Sequence, residues 1–173
     1  VIETERLILR APEPRDRAAL HAMWADPRVM ADLGPVKSAA DSDATIARHA
    51  GYAPLGFWTV ERRDDGRLAG FCGLKPGAPN TPIEGMLEIG WMLAVAHWRQ
   101  GFAFEAAAAS LAWGWRNRPD DAIVAITAKG NGKSRALMER LGMSWQPQMD
   151  FIHPLFAADD PRAETVTYRI ARP

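Results

Sequence analysis

A chain of 173 residues, 47% hydrophobic and 24% charged, has ordinary globular composition and is most simply one domain spanning 1–173, long enough to bury a real core. Lysine plus arginine equals aspartate plus glutamate, 21 each, so no bulk charge points to nucleic acid or an anionic membrane as a partner. The single cysteine, Cys72, excludes an internal disulfide framework and any cysteine-based zinc site, and it favours a reducing cytoplasm as the compartment. No apolar run approaches the roughly 18 residues of a membrane span, and charges interrupt VIETERLILRAPEPRDR too often for a signal peptide.

Arg6 to Ala11 sets Leu7 and Leu9 against Arg6, Ile8 and Arg10, the alternation of a first strand. Pro14 starts a helix with Ala18, Ala19, Ala22 and Met23 on one face, and Asp26-Pro27 ends it. Gly34-Pro35 marks a turn. A second helix runs from about Ser38 or Asp41 to His49, and Gly51 to Pro54 stop it. From Leu55 the period becomes two, with Phe57, Thr59 and Glu61 alternating against Trp58, Val60 and Arg62. Asp64-Asp65-Gly66-Arg67 then turns the chain into Leu68–Leu74, forming a β-hairpin. Lys75 to Ile83 reads as a Pro/Gly loop delivering the chain to a third antiparallel strand.

That strand, Glu88 to Val95, is mostly apolar and reads as well buried. After Arg99-Gln100-Gly101 the pattern becomes Ala-rich and helical from Phe102 to about Trp115, with Asn117-Arg118-Pro119 as the stop. A strand feeding a glycine turn that opens a helix aims free backbone N–H groups and the positive end of the helix dipole at one point, which suits a phosphate or pyrophosphate. Ala122 to Ala128 is a short apolar strand, and a strand–helix–strand crossover of this length sets it parallel to the Glu88 strand. Asn131 is a good N-cap for a helix over Lys133–Leu141, which Gly142 ends. Trp145–Ile152 and Thr165–Ile170 read as a closing pair of strands around the loop HPLFAADDPRAE. The seven tryptophans suggest a large apolar pocket or a homodimer face.

Two segments carry a resemblance. Val95-Ala-His-Trp-Arg-Gln-Gly101-Phe-Ala103-Phe-Glu-Ala106 resembles the acyl-CoA-binding motif Q/R-x-x-G-x-G/A of the GNAT N-acetyltransferases, with Gly101 and Ala103 on its two small positions. Trp98 and the opening ETERLILRAPEPRD fit the branch that acetylates ribosomal-protein N-termini. Asn131-Gly-Lys-Ser134-Arg-Ala-Leu-Met-Glu-Arg-Leu-Gly142-Met resembles the family segment N-x-x-S-x-x-x-x-x-x-L-G-F/M. The resemblance implies an α/β (α+β) fold: a mixed, mostly antiparallel sheet of six to seven strands, splayed between the fourth and fifth, flanked by about four helices. It implies an enzyme that moves an acetyl group from acetyl-CoA to a primary amine by direct attack, without a metal. The acceptor is a protein N-terminal α-amine or a small molecule such as an amino acid, polyamine or antibiotic; a non-catalytic CoA-binding protein is the alternative of a different class.

The same resemblance implies that the strands splay where the Glu88 strand is bulged. The pantetheine arm then bonds backbone near Leu93 and Val95, the diphosphate sits on Arg99, Gln100, Gly101, Phe102 and Ala103, and Asn131 contacts the arm. Ser134 lies near the thiol. A backbone N–H near Leu93 serves the oxyanion. Alternatives stand beside these roles: Asn131 is also a plain N-cap with Ser134 incidental. For the amine proton, Glu88 is one candidate, facing either the cleft or a paired cation, or else structural on the opposite face. His153 is the other, at the substrate mouth or merely in a loop. Cys72 reads as core rather than nucleophile, and His21, His49 and His97 lack metal-site spacing. Trp58, Trp91 and Phe71 either wall the acceptor pocket or fill the core.

Overall fold

The computed structural model describes residues 1–173. One mixed sheet runs in the order β1 (Ile2–Glu3), β2 (Leu7–Arg10), β3 (Gly56–Arg62), β4 (Leu68–Pro76), β5 (Leu87–Leu93), β6 (Ala122–Ala128), β9 (Glu164–Ala171) and β7 (Ser144–Trp145), with β8 (Phe151–Ile152) also on β9. All pairings are antiparallel except β5 with β6. The helices are α1 (Arg17–Ala25), α2 (Pro27–Met30), α3 (Ala39–Ala50), α4 (Phe102–Asn117) and α5 (Gly132–Arg140). No helix is long and apolar enough to cross a membrane.

The seven expected strands form, with details changed by specific residues. The Trp145–Ile152 strand is broken into β7 and β8 by a 3-10 turn at Pro147–Met149, because proline cannot donate into the ladder. β5 ends at Leu93, and Val95 already opens a 3-10 turn. Lys75 and Pro76, expected in a loop, continue β4 opposite Glu88 and Leu87. The expected bulge in the Glu88 strand is absent: β4 and β5 pair without a shift, and the irregularity lies in β3 between Val60 and Glu61. At the end of α1, Asp26 caps a one-turn helix started by Pro27, its carboxylate accepting from Arg28 N–H at 2.9 Å.

Two apolar clusters cover the sheet. The larger packs Leu7, Leu9, Val60, Leu74, Ile89 and Ile123 with Ala106, Ala107 and Leu111 of α4. Gly114 lets α4 lie close there, since a Cβ would come within 2.8 Å of Leu74 Cδ1 and that side chain would have to shift. The smaller packs Leu20, Met23 and Trp24 of α1 with Val29, Met30, Phe57 and Phe71. Beside it, His49 is 5% exposed, lies 4.4 Å from the Phe57 ring, and accepts the Phe57 N–H on Nδ1 at 2.9 Å.

Burial lowers the His49 pKa from 6.5 to about 3. The unfolded chain therefore takes up this proton first as pH falls, so the contribution is intact above 6.5 and is lost between there and about 3. Chemical denaturation at stepped pH should show stability falling over that window by up to about 1.4 kcal/mol per pH unit from this group, and His49→Phe should flatten the slope.

Candidate functional site

Only Leu87↔Ile123 and Glu88↔Val124 pair β5 with β6. Past them the strands part. β5 stays paired with β4 through Leu93, and β6 stays paired with β9 through Ala128, so the open edges face each other across a gap. Two cavities occupy this region. The first, about 410 Å³, is lined by β5, the turn after it, the start of α4, and α5. The second, about 210 Å³, lies toward Glu88, β6 and the loop after β8. Asp32, Leu33, Trp91, Met92 and Ser134 line both and mark where they meet.

The turn into α4 is built from left-handed backbone: φ is 60° at Arg99 and 81° at Gly101. No main-chain N–H from Arg99 to Phe104 donates to another backbone group, and the first bond at this end runs from Glu105 N–H to the Gly101 carbonyl at 3.1 Å. Arg28, Arg99, Lys133 and Arg140 surround the cavity against one carboxylate, Asp32. Free donors, a helix N-terminus and these cations, of which Arg28 is already held by Asp26 at 2.7 Å, together suit a polyanion.

The turn is braced from a distance. The Arg6 main-chain N–H donates to Glu105 Oε1 at 2.9 Å, its Nε to Glu105 Oε2 at 2.7 Å, and its Nη1 to the Gln100 carbonyl at 2.9 Å. Thr4 Oγ1 donates to Glu105 Oε1 at 2.6 Å, and the Arg6 guanidinium lies 4.7 Å from the Phe102 ring centre. A Cβ on Gly101 would stand 3.3 Å from Arg6 Nη2.

At the junction, Asn131 is 7% exposed and caps α5. Its Oδ1 accepts the Ser134 N–H at 3.2 Å, and its Nδ2 donates to Thr127 Oγ1 at 3.0 Å and Ser134 Oγ at 3.2 Å. Both amide hydrogens are thus spent inside the protein. Ser134 Oγ accepts from Asn131, which leaves its own O–H free to donate.

In the second cavity Glu88 is 6% exposed and ion-paired with Lys75, its register partner. It faces the cavity and a cation together. Burial raises its pKa, with the Lys75 ammonium opposing. His153 lines the same cavity, and its Nδ1 accepts the Leu155 N–H at 3.2 Å, so the neutral ring carries its proton on Nε2. Burial lowers its pKa, and Lys75 adds to the effect.

The sequence-derived residues therefore divide. Leu93, Arg99, Gly101, Phe102, Ala103, Asn131 and Ser134 line the first cavity, and Glu88, His153 and Ser134 the second. Val95 and Gln100 line neither: Val95 packs against the smaller core, and the Gln100 side chain donates to the Ala96 carbonyl at 2.9 Å. The Leu93 carbonyl already accepts from Trp98 Nε1 at 2.9 Å. Of the three aromatic candidates only Trp91 lines the cavities. Phe71 is fully buried against Trp24, and Trp58 stacks edge-on with Trp113 at 5.1 Å. Sequence reading missed Lys75, Asp32, Arg162 and the Arg6–Glu105 brace. Lys75 meets Glu88 only through the register of β4 on β5, which the intervening loop leaves open in the sequence.

A family profile described as "Acetyltransferase (GNAT) domain" matches residues 6–144. Protein YkkB of Bacillus subtilis, described as uncharacterized, is 31% identical over 147 residues, 82% of this chain and 84% of that protein. The N-acetyltransferase YoaA of the same organism, likewise described as uncharacterized, is 28% identical over 148 residues, covering 82% of this chain and 81% of its own. The crystal structure of a GNAT-family acetyltransferase from Bacillus anthracis shares the fold, with a TM-score of 0.81 at 24% identity over 99% of this chain and 98% of that one.

Cys72 lies outside both cavities, fully buried, with Sγ 3.7 Å from Ser110 Oγ. Burial pushes its thiol up to about 12. A disulfide-exchange reagent at mildly alkaline pH should leave the native protein unlabelled and titrate one thiol after denaturation; rapid labelling of native protein would contradict this placement.

Proposed function

The chain belongs to the GNAT acetyltransferase family and is an acetyl-CoA-dependent N-acetyltransferase, and from that premise we propose that transfer occurs where its two cavities meet, by direct attack of a primary amine. The observation that carries this reading is the unpaired gap between β5 and β6, continuous with a basic, N–H-rich turn on one side and a pocket holding Glu88 on the other. The gap's backbone groups match an amide-bearing arm, and the turn matches phosphates.

When bound, acetyl-CoA supplies an activated thioester carbonyl. The protein's own residues do the rest. Main-chain N–H groups from Arg99 to Phe104 hold phosphate, with Gln100 acting through its backbone rather than its side chain. The β5 edge up to Leu93 offers backbone groups to the arm, whereas Val95, which lines neither cavity and whose carbonyl accepts the Trp98 N–H, does not; an N–H near Leu93 receives charge developing on the carbonyl oxygen. Asn131 positions Ser134, whose O–H donates to the departing sulfur. Glu88, its pKa raised by burial, takes the proton that an incoming ammonium must lose. His153, its Nδ1 lone pair occupied, serves as a donor in the neutral state.

For the acceptor, the branch resemblance favours the α-amine of a protein N-terminus such as that of a ribosomal protein. The second cavity, about 210 Å³ and walled by Phe57, Trp91 and Phe156, favours a small-molecule amine. A reducing cytoplasm is the setting this reading assumes.

Calorimetry should find that Gly101→Glu weakens CoA binding by at least about tenfold, because it sets a carboxylate and a strained left-handed residue against the phosphates; undiminished affinity would refute the placement. Ser134→Ala should lower kcat by about 10²-fold while the KM for acetyl-CoA moves by less than about threefold; an unchanged kcat removes Ser134 from the mechanism.

A further inference from the structure

The second cavity holds charge of both signs in equal number. Lys75 and Arg162 are its cations, Asp32 and Glu88 its anions, and His153 is held neutral by its surroundings. The pairs are not fully spent on each other. Lys75 gives one donor to Glu88, with only a long 3.4 Å contact to the Pro76 carbonyl besides. Arg162 uses Nε and Nη2 on Asp160, outside the cavity, and its Nη1 makes no hydrogen bond. Asp32, at the junction of the cavities, makes no hydrogen bond or ion pair, yet lies near enough to Arg162 to add to the rise that Asp160 causes in its pKa. Lys75, Arg162, Glu88 and the exposed Asp32, each with bonding capacity left over, therefore line one space of about 210 Å³.

We propose, resting on the acetyltransferase reading above, that the acceptor is a small zwitterion: a primary amine that carries an anionic group a few bonds away, as a free α-amino acid does. Its ammonium enters beside Asp32 at the junction, where Ser134 marks the thioester, and its proton passes to Glu88 further into the second cavity. Its anionic group takes the free donors of Arg162 and Lys75 and the Nε2–H of His153. A polyamine fits less well, because Lys75 already occupies Glu88, which leaves Asp32 as the one carboxylate of the lining for several further cations. A peptide N-terminus brings the amine but no anion, and would leave the Arg162 and Lys75 donors without a partner. The apolar walls, Phe57, Trp91 and Phe156, are left for the substrate's side chain.

The test is thiol release from acetyl-CoA by the intact protein across matched sets of acceptors. For each of a panel of α-amino acids, the set holds the free acid, its amide, its decarboxylated amine and a tripeptide beginning with it; spermidine and spermine complete the panel. The proposal expects a free acid to be used best, with kcat/KM above its amide and decarboxylated amine by at least about tenfold, the scale of one charge-assisted hydrogen bond. It also expects Arg162→Gln to shrink that ratio by about the same factor, mostly through KM, and Arg162→Lys to restore part of it. Release that is equal or faster with amides, tripeptides or polyamines overturns the zwitterion and leaves the acetyltransferase standing. Acetyl-CoA bound with no release by any amine overturns both, and the wild-type panel decides this even should the Arg162 variants fail to fold.

Discussion

The structure depends on two strands that pair for two residues and then separate. Each is fully paired on its outer side, β5 with β4 and β6 with β9, so neither can move to close the gap without breaking a ladder. Unpaired backbone donors and acceptors inside a protein are costly unless something polar answers them. Here they line the space that joins two cavities. A ligand with amides along a narrow arm answers them, and a ligand with phosphates answers the turn that follows β5. In the proposed reading the divergence sets both where a coenzyme would thread and where its reactive end would stop, beside Ser134.

The turn that begins α4 would be a weak anchor if it were free to move, because left-handed residues such as Arg99 are held only by their surroundings. Arg6 and Thr4 supply that hold. They come from the first turn of the chain, bond Glu105 one helical turn into α4, and clamp the Gln100 carbonyl, so the N–H groups beside it point as a set. The opening TER segment and the glycine turn are therefore parts of one device, although about a hundred residues separate them. Preorganised donors of this kind hold charge without having to rearrange when it arrives.

The elements with a clear period or a strong stop signal were legible in the sequence: the hairpin at Asp64–Arg67, the strand–turn–helix through Gly101, the Asn131 cap and the parallel strand after α4. The motif residues Gly101, Ala103, Asn131 and Ser134 line one cavity, as the family resemblance implied and, for Asn131 and Ser134, as their spacing of one helical turn allowed. What was illegible depends on long-range register and packing. Nothing local says that Lys75 pairs with Glu88, that Phe71 turns toward Trp24 while Trp91 turns toward the gap, or that the loop carrying Arg162 returns over the second cavity. Pro147 was visible, yet the apolar residues around it suggested one strand, and its missing N–H decided otherwise. A bulge in β5 was not needed, because the outer ladders are enough to hold the two strands apart.

The central claim is that the gap, with the turn beside it, receives acetyl-CoA. Backbone hydrogen exchange read by mass spectrometry, with and without saturating acetyl-CoA, reports on it directly. The account predicts slower exchange in peptides covering residues 89–93 and 99–104, with smaller changes at 131–134 and none in α3, which lines neither cavity. Unchanged exchange at 89–104 in protein shown to have bound the coenzyme, or protection concentrated on another face, would contradict it.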